Sequence, residues 1–285
     1  MINVQGLSVS FNDHAVLKNI SIDFEEGLVH GIVGLNGAGK TTLFNVLAKM
    51  LKPDSGDIKQ NGTALGIKHT AYLETANFFF SRITGNEYLK IFKQTNTEFN
   101  LAALQEYFKL PLDELIENYS TGMKKKLALL AVLKQGKPIF ILDEPFNGLD
   151  LETNKVLEII IVSLKQKQKT VFVSSHIIDP LLTTCDKIHL LENGCFVKTY
   201  FKIDFSKIEE DLFGKLPEIL KRFLPDFDFI IIDLSQHSDQ EILNTDAGLL
   251  VNMLLLLRHS FDVEYLVNNF DLIMSGIENY DRDSE

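Results

Sequence analysis

Apolar and polar residues alternate along INVQGLSVSF (2–11) and AVLKNISIDF (15–24), the period-two rhythm of half-buried strands, which predicts an antiparallel pair near the start. LVHGIVG (28–34) is a short apolar run closed by glycine and suits a buried strand. It feeds LNGAGKTTLFNVLAKML, where Leu43, Val46, Leu47 and Met50 carry helical spacing. KPDSGDIKQNG (52–62) is turn-rich with a short strand, and HTAYL (69–73) is a further strand candidate. From 76 to 135 the pattern is mostly helical, in GNEYLKIF, NLAALQEYF and MKKKLALLAVL. Strand rhythm returns in PIFILDEP, TVFVSSH and KIHLLENGCFVKTYF, with the helix LETNKVLEIIIVSLKQK after the first. Strands alternating with helices imply an α/β fold with a mainly parallel sheet, into which the helical stretch is inserted.

Beyond Phe201 the rhythm changes. The tail offers helix-like IEEDLFGKLPEILKRFL, a strand candidate FDFIIIDL and an apolar helix candidate AGLLVNMLLLL. The expected organisation is one domain over 1–201, with a helical subdomain at about 76–135, and a small α+β appendage over 202–285. Charge supports that boundary. The formal net charge of the 285 residues is −11, and from Phe201 onward 7 Lys and Arg face 18 Asp and Glu. The first 200 residues are therefore balanced. An acidic tail on a neutral body argues against nucleic acid and against anionic lipid as partners. Cys185 and Cys195 make neither a disulfide framework nor a metal site. The start lacks a basic flank with an apolar core, and the longest apolar stretch is about half a membrane span, so a cytoplasmic chain is expected.

GLNGAGKTT (34–42) fits the phosphate-loop pattern G-x-x-x-x-G-K-[ST] through Gly34, Gly39, Lys40 and Thr41, between a strand and a helix. Glycines let successive N–H groups turn inward around an anion, at a helix N-terminus whose dipole favours negative charge. Lys40 is expected to reach the terminal phosphates and the Thr41 hydroxyl to hold Mg²⁺. The candidate ATP contacts are Gly34, Leu35, Asn36, Gly37, Ala38, Gly39, Lys40, Thr41 and Thr42. IFILDEP (139–145) is an apolar strand ending in two acids. Asp143 at its carboxyl end suits a Mg²⁺ contact, and Glu144 suits polarising a water that attacks the γ-phosphate.

With YSTGM (119–123) lying between these motifs, the chain resembles the ATP-binding subunits of ABC transporters over roughly residues 1–201. The resemblance implies a nucleotide cassette with an antiparallel N-terminal sheet, and an ATPase that drives transport through separate permease subunits. It implies that two such subunits, identical or related, meet head to tail. ATP on one phosphate loop would then touch the signature turn of the other subunit through Ser120 and Gly122. Tyr119, Thr121 and Met123 depart from the commonest form of that signature. The lysines after it (124–126) read as a solvated face. FNGLD places Asp150 in the loop that links the two ATP sites. His176, after VFVSS, matches the switch histidine, and Phe11 the aromatic that stacks on adenine.

One motif is off-pattern. The usual glutamine after the YL strand is replaced in YLETANFFF, with Glu74 its nearest occupant and Thr75 the alternative. Glutamate there resembles peptide-immunity exporters and adds negative charge beside the metal. Phe78, Phe79 and Phe80 follow, in the region that borders the groove for a membrane subunit's coupling helix. Three adjacent aromatics cannot all point inward from one regular element, so at least one is expected to be exposed or covered by a partner, unless an irregular loop buries all three. A soluble ABC ATPase outside transport is the competing reading. Against it stand a single cassette, where translation factors carry two, and the lack of the coiled coil or zinc hook of repair proteins.

Overall fold

The computed structural model describes residues 1–12, 14–93, 99–175, 178–205 and 207–208. His176 and the tail elements expected beyond residue 208 lie outside the described residues. Residues 1–175 and 179–202 make one compact unit.

The chain opens with β1 (Ile2–Phe11) and β2 (His14–Phe24), paired antiparallel. Along β1 the buried positions are Ile2 and Val4, then Leu7 and Val9. That change of parity is a bulge at Gly6, whose φ of 59° lies in the left-handed region. The extra residue keeps the apolar side of both halves on the core. After β3 (Val29–Val33) and α1 (Lys40–Leu47), β4 (Ser55–Gln60) pairs with β1, and β5 (Thr63–Ala64) completes a four-stranded antiparallel sheet ordered β2-β1-β4-β5.

The second sheet adds β6 (Thr70–Leu73), β7 (Ile139–Leu142), β8 (Thr170–Ser174), β9 (Lys187–Glu192) and β10 (Cys195–Phe201), in the order β10-β9-β3-β8-β7-β6. Every pairing is parallel except the β9–β10 hairpin at the edge, which turns at Asn193 and Gly194, both at positive φ. One apolar cluster runs from Ile2, Leu7 and Ile58, through Leu43, Phe44 and Leu47 of α1, to Ile32, Ile141 and Phe172 of the parallel sheet. α1 therefore lies between the two sheets.

Between β6 and β7 come α2 (Gly85–Ile91), α3 (Leu101–Phe108) and α4 (Thr121–Lys134). α4 packs on α2, α3 and β6, with an unbroken buried run from Leu127 to Leu133. α5 (Leu151–Gln166) and α6 (Asp179–Thr184) complete the unit. The parallel register matters most for function. Leu73 pairs with Leu142 and Leu142 with Val173, while β3 pairs with β8 up to Ile32 and Ser174. Four strands therefore end along one edge, where ligands bind in open α/β sheets.

Candidate functional site

The phosphate loop leaves β3 at Gly34 and enters α1 at Lys40. Gly34 is required by sterics: a β-carbon there would sit 2.1 Å from the Leu191 carbonyl oxygen in β9. Gly37 and Gly39 are needed for conformation, with φ of 81° and 107°. Leu35, Asn36 and Gly37 are exposed at the crest, Ala38 and Gly39 are buried, and Thr42 is half-buried. Lys40 is buried and its ammonium donates to the carbonyls of Gly34 at 2.7 Å and Leu35 at 3.2 Å, which folds it over the loop.

Thr41, next on α1, donates its hydroxyl hydrogen to Asp143 Oδ2 at 2.7 Å. Asp143 is fully buried just past β7, and its N–H donates to the Leu73 carbonyl at 2.9 Å. Its other oxygen, Oδ1, accepts from Ser174 Oγ at 2.5 Å, and that same hydroxyl oxygen accepts the Glu144 N–H at 2.8 Å. Ser174 closes β8, and its only sign in the sequence is a serine at the end of a largely apolar strand. Glu144 takes φ of 48° and is nearly buried. Asn147 Nδ2 approaches its carboxylate Oε2 at 3.5 Å.

Glu74 follows β6 directly. Its carboxyl is held above the usual range by burial and then by the negative charge of Asp143. Thr75 turns its hydroxyl to the Asp143 main-chain carbonyl at 3.5 Å. The fold thus brings Thr41, Asp143, Glu144 and Glu74 together at one sheet edge. An oxygen-only set of one hydroxyl and a carboxylate beside a phosphate loop fits Mg²⁺, which takes few protein ligands and completes its shell with phosphate and water.

Other candidates stand on separate elements. Phe11 closes β1 beside the hairpin turn and is 49% exposed. Ser120 caps α4, its Oγ accepting the Met123 N–H at 3.2 Å. Ser120 is exposed and Gly122 half-buried. Asp150 caps α5 by accepting the Thr153 N–H at 2.8 Å, and it pairs with Lys126 at 3.2 Å. Those two contacts, the Thr153 bond first, hold its carboxyl at about 2.

The lysine run corrects the expectation of a solvated face. Lys124 and Lys126 are partly exposed, but Lys125 is 6% exposed and its ammonium donates to the main-chain carbonyl of Glu144. Three successive residues on a helix spread over more than half its circumference, so a helix buried on most sides must turn one of them inward. Of the three phenylalanines, Phe78 and Phe80 are exposed (69% and 52%) and meet edge to face at 5.1 Å. Phe79 turns in against Tyr88 at 4.9 Å. Beside them, residues 75–77 and 79–81, the start of α4 and the loop at Asn147 and Gly148 line an open cavity of about 580 Å³.

The chain is similar to known proteins over most of its length. Residues 17–147 match the family model described as ABC transporter. The chain is 26% identical to the ABC transporter ATP-binding protein YtrB of Bacillus subtilis over 221 residues, covering 74% of each. It is 31% identical over 209 residues to an uncharacterised ABC transporter ATP-binding protein of Methanocaldococcus jannaschii, covering 71% of this chain and 78% of that one. A solved ATP-binding subunit of an ABC transporter superposes with a TM-score of 0.66 at 25% identity, over 78% of this chain and 98% of that one.

Proposed function

The chain belongs to the ATP-binding subunits of ABC transporters and is an ATPase of that family, and from that premise we propose that its cassette, residues 1–201, closes head to tail with a second such subunit around two ATP molecules. The observation that carries this reading is the hydrogen-bonded sequence Thr41–Asp143–Ser174–Glu144 beside the phosphate loop. The phosphate loop, residues 34–42, wraps the triphosphate with its N–H groups, Lys40 neutralises the terminal phosphates and Phe11 stacks on adenine. Thr41 and Asp143 would hold Mg²⁺, with Glu74 rather than Thr75 beside them, because its carboxyl is close enough to feel the charge of Asp143 while the Thr75 hydroxyl is turned to a main-chain carbonyl. The metal supplies positive charge to the transferring phosphoryl group.

Glu144 orients and deprotonates the attacking water. Its main chain is fixed from both sides, so the carboxylate is aimed before substrate arrives. The signature turn caps α4 in the inserted region, a different element from β3 and α1, which carry the phosphate loop. It is therefore read as serving the partner's ATP: Ser120 and Gly122 complete the second subunit's site, His176 senses the γ-phosphate, and Asp150 links the two sites. Hydrolysis removes the shared phosphate contacts and the closed pair loosens.

Among the described residues no helix is long and apolar enough to cross a membrane. The spans belong to separate permease subunits in this reading, which hold the cassette at the inner face of the cell membrane, and Glu74 points to export. Phe78, Phe80 and the neighbouring cavity are where a permease helix docks. The acidic region 202–285 is an accessory part.

Glu144→Gln tests the core of this reading. It should lower ATP turnover by roughly 10²–10⁴-fold while keeping ATP affinity, and with ATP it should elute as a dimer on size exclusion. Normal turnover in that variant overturns the assignment.

A further inference from the structure

Glu144 adopts a left-handed backbone conformation that a β-carbon disfavours, so something must hold it there. Its N–H is fixed by Ser174 Oγ at 2.8 Å. Its carbonyl accepts the Asn147 N–H at 3.3 Å and the ammonium of Lys125 from α4. Lys125 is buried at a cost. Desolvation pushes its ammonium down to about 8, although the nearby carboxylates of Glu144 and Asp143 pull the other way. At neutral pH it remains charged, and a charged donor binds a carbonyl more strongly than a neutral one.

We infer that Lys125 is a positioning residue for Glu144, fixing the turn that aims its carboxylate and tying that aim to the placement of the signature helix. The inference rests on the role proposed above for Glu144. Two further contacts join the same pair of elements. Lys126 pairs with Asp150 at 3.2 Å, and a β-carbon on Gly122 would stand 3.2 Å from the Gly148 carbonyl oxygen. The first turn of α4, which carries Ser120 and Gly122, is therefore locked to residues 144–150. A shift of that turn is felt at the main chain of Glu144 through Lys125.

The test is steady-state ATP hydrolysis by the full chain carrying K125M, K125R, E144Q and the K125M/E144Q pair. Met keeps the length and bulk of lysine without its donor. K125M should lower kcat roughly tenfold to a hundredfold, the worth of one charge-assisted hydrogen bond, with KM for ATP within about twofold. K125R should recover most of the loss, since arginine keeps both charge and donor. In the E144Q background K125M should have no further effect, because both changes act on the same carboxylate. If K125M does not fold, Lys125→Leu is read in its place. Undiminished kcat in the Met or Leu variant overturns the inference, as does KM rising in step with the fall in kcat, or K125R as impaired as K125M. A nearly inactive E144Q beside a fully active K125M sinks the role of Lys125 alone, whereas a fully active E144Q sinks the role of Glu144 and this inference with it.

Discussion

The Ser174 hydroxyl donates to Asp143 Oδ1 at 2.5 Å while its oxygen accepts the Glu144 N–H at 2.8 Å, so one side chain at the end of β8 holds both acids at the end of β7. All three groups are buried, and water cannot replace the missing partner if the serine is removed. Ser174→Ala should therefore destabilise the fold by about 1–3 kcal/mol, read by urea denaturation. Turnover should fall further than ATP affinity, since Asp143 and Glu144 lose a shared support. Ser174→Thr, which keeps the hydroxyl, should recover much of both. Unchanged stability and turnover in the alanine variant would show that the bond has no such role.

Much of this site was legible before the fold was known. The phosphate loop, the two acids after an apolar strand and the signature turn are local patterns, and each fell on the element expected for it. Strand order is not local. That β8 lies between β3 and β7, and so brings Ser174 to Asp143, depends on pairings between residues far apart in the chain. The inward turn of Lys125 had a trace in the sequence, a helix apolar on nearly every side, but charge in a run reads first as surface. His30 hid within an apolar strand, and its partner lies 159 residues away. The parity change along β1 was also in view, yet only the pairing with β2 identifies it as a bulge.

Two glycines of the phosphate loop separate steric need from conformational need. At Gly34 a methyl group would meet a backbone oxygen in a central sheet, which cannot give way. Gly34→Ala should cost about 3 kcal/mol and abolish ATP binding. At Gly37 nothing in the protein lies within 4 Å of the added carbon, so only its φ of 81° is strained. Gly37→Ala should cost about 1–2 kcal/mol. Denaturation curves with and without ATP measure both, and equal losses in the two variants would contradict the distinction.

The buried histidines give the fold an acid-sensitive point. His30 Nδ1 and His189 Nε2 are 3.1 Å apart, with His30 Nε2 at 2.8 Å from the Glu25 carbonyl and His189 Nδ1 at 2.9 Å from Thr199 Oγ1. A carbonyl only accepts, so His30 donates from Nε2 and accepts at Nδ1 from His189, which accepts in turn from Thr199. Both rings are neutral in that arrangement. Burial among Phe24, Phe172 and Phe196 lowers both, His189 to about 3, against 6.5 for a free histidine. Around His30, Lys187 adds to that lowering while Glu25 and Asp186 oppose it; around His189, His30 and Lys187 add to it. The unfolded chain therefore binds protons that the folded chain refuses. Stability is greatest above pH 6.5 and declines as pH falls below it, by up to about 1.4 kcal/mol per pH unit for His189, with His30 adding in the same direction. Urea denaturation between pH 7.5 and 5 should show this slope, reduced by about one proton in His189→Asn. Parallel slopes for the two proteins would place the acid sensitivity elsewhere.

Phe78 and Phe80 meet edge to face on the surface while Phe79 packs inward on Tyr88, so the proposed docking of a permease helix on this segment can be tested apart from its part in the fold. Exposed aromatics contribute little to the fold of the free subunit, but in a covered interface each anchors roughly 2 kcal/mol. The pair Phe78→Asp and Phe80→Asp should keep ATP affinity and shift the unfolding free energy by no more than about 0.5 kcal/mol. It should weaken the hold of the permease by more than about a hundredfold, since a charge in a desolvated interface adds its own penalty. Phe79→Asp should do the reverse, loosening α2 and lowering the melting temperature before any partner is present. Co-purification with a tagged permease from solubilised membranes, beside melting curves of the free subunit, reads both effects. If the Phe78/Phe80 variant is retained as well as the wild type, the permease docks on some other face.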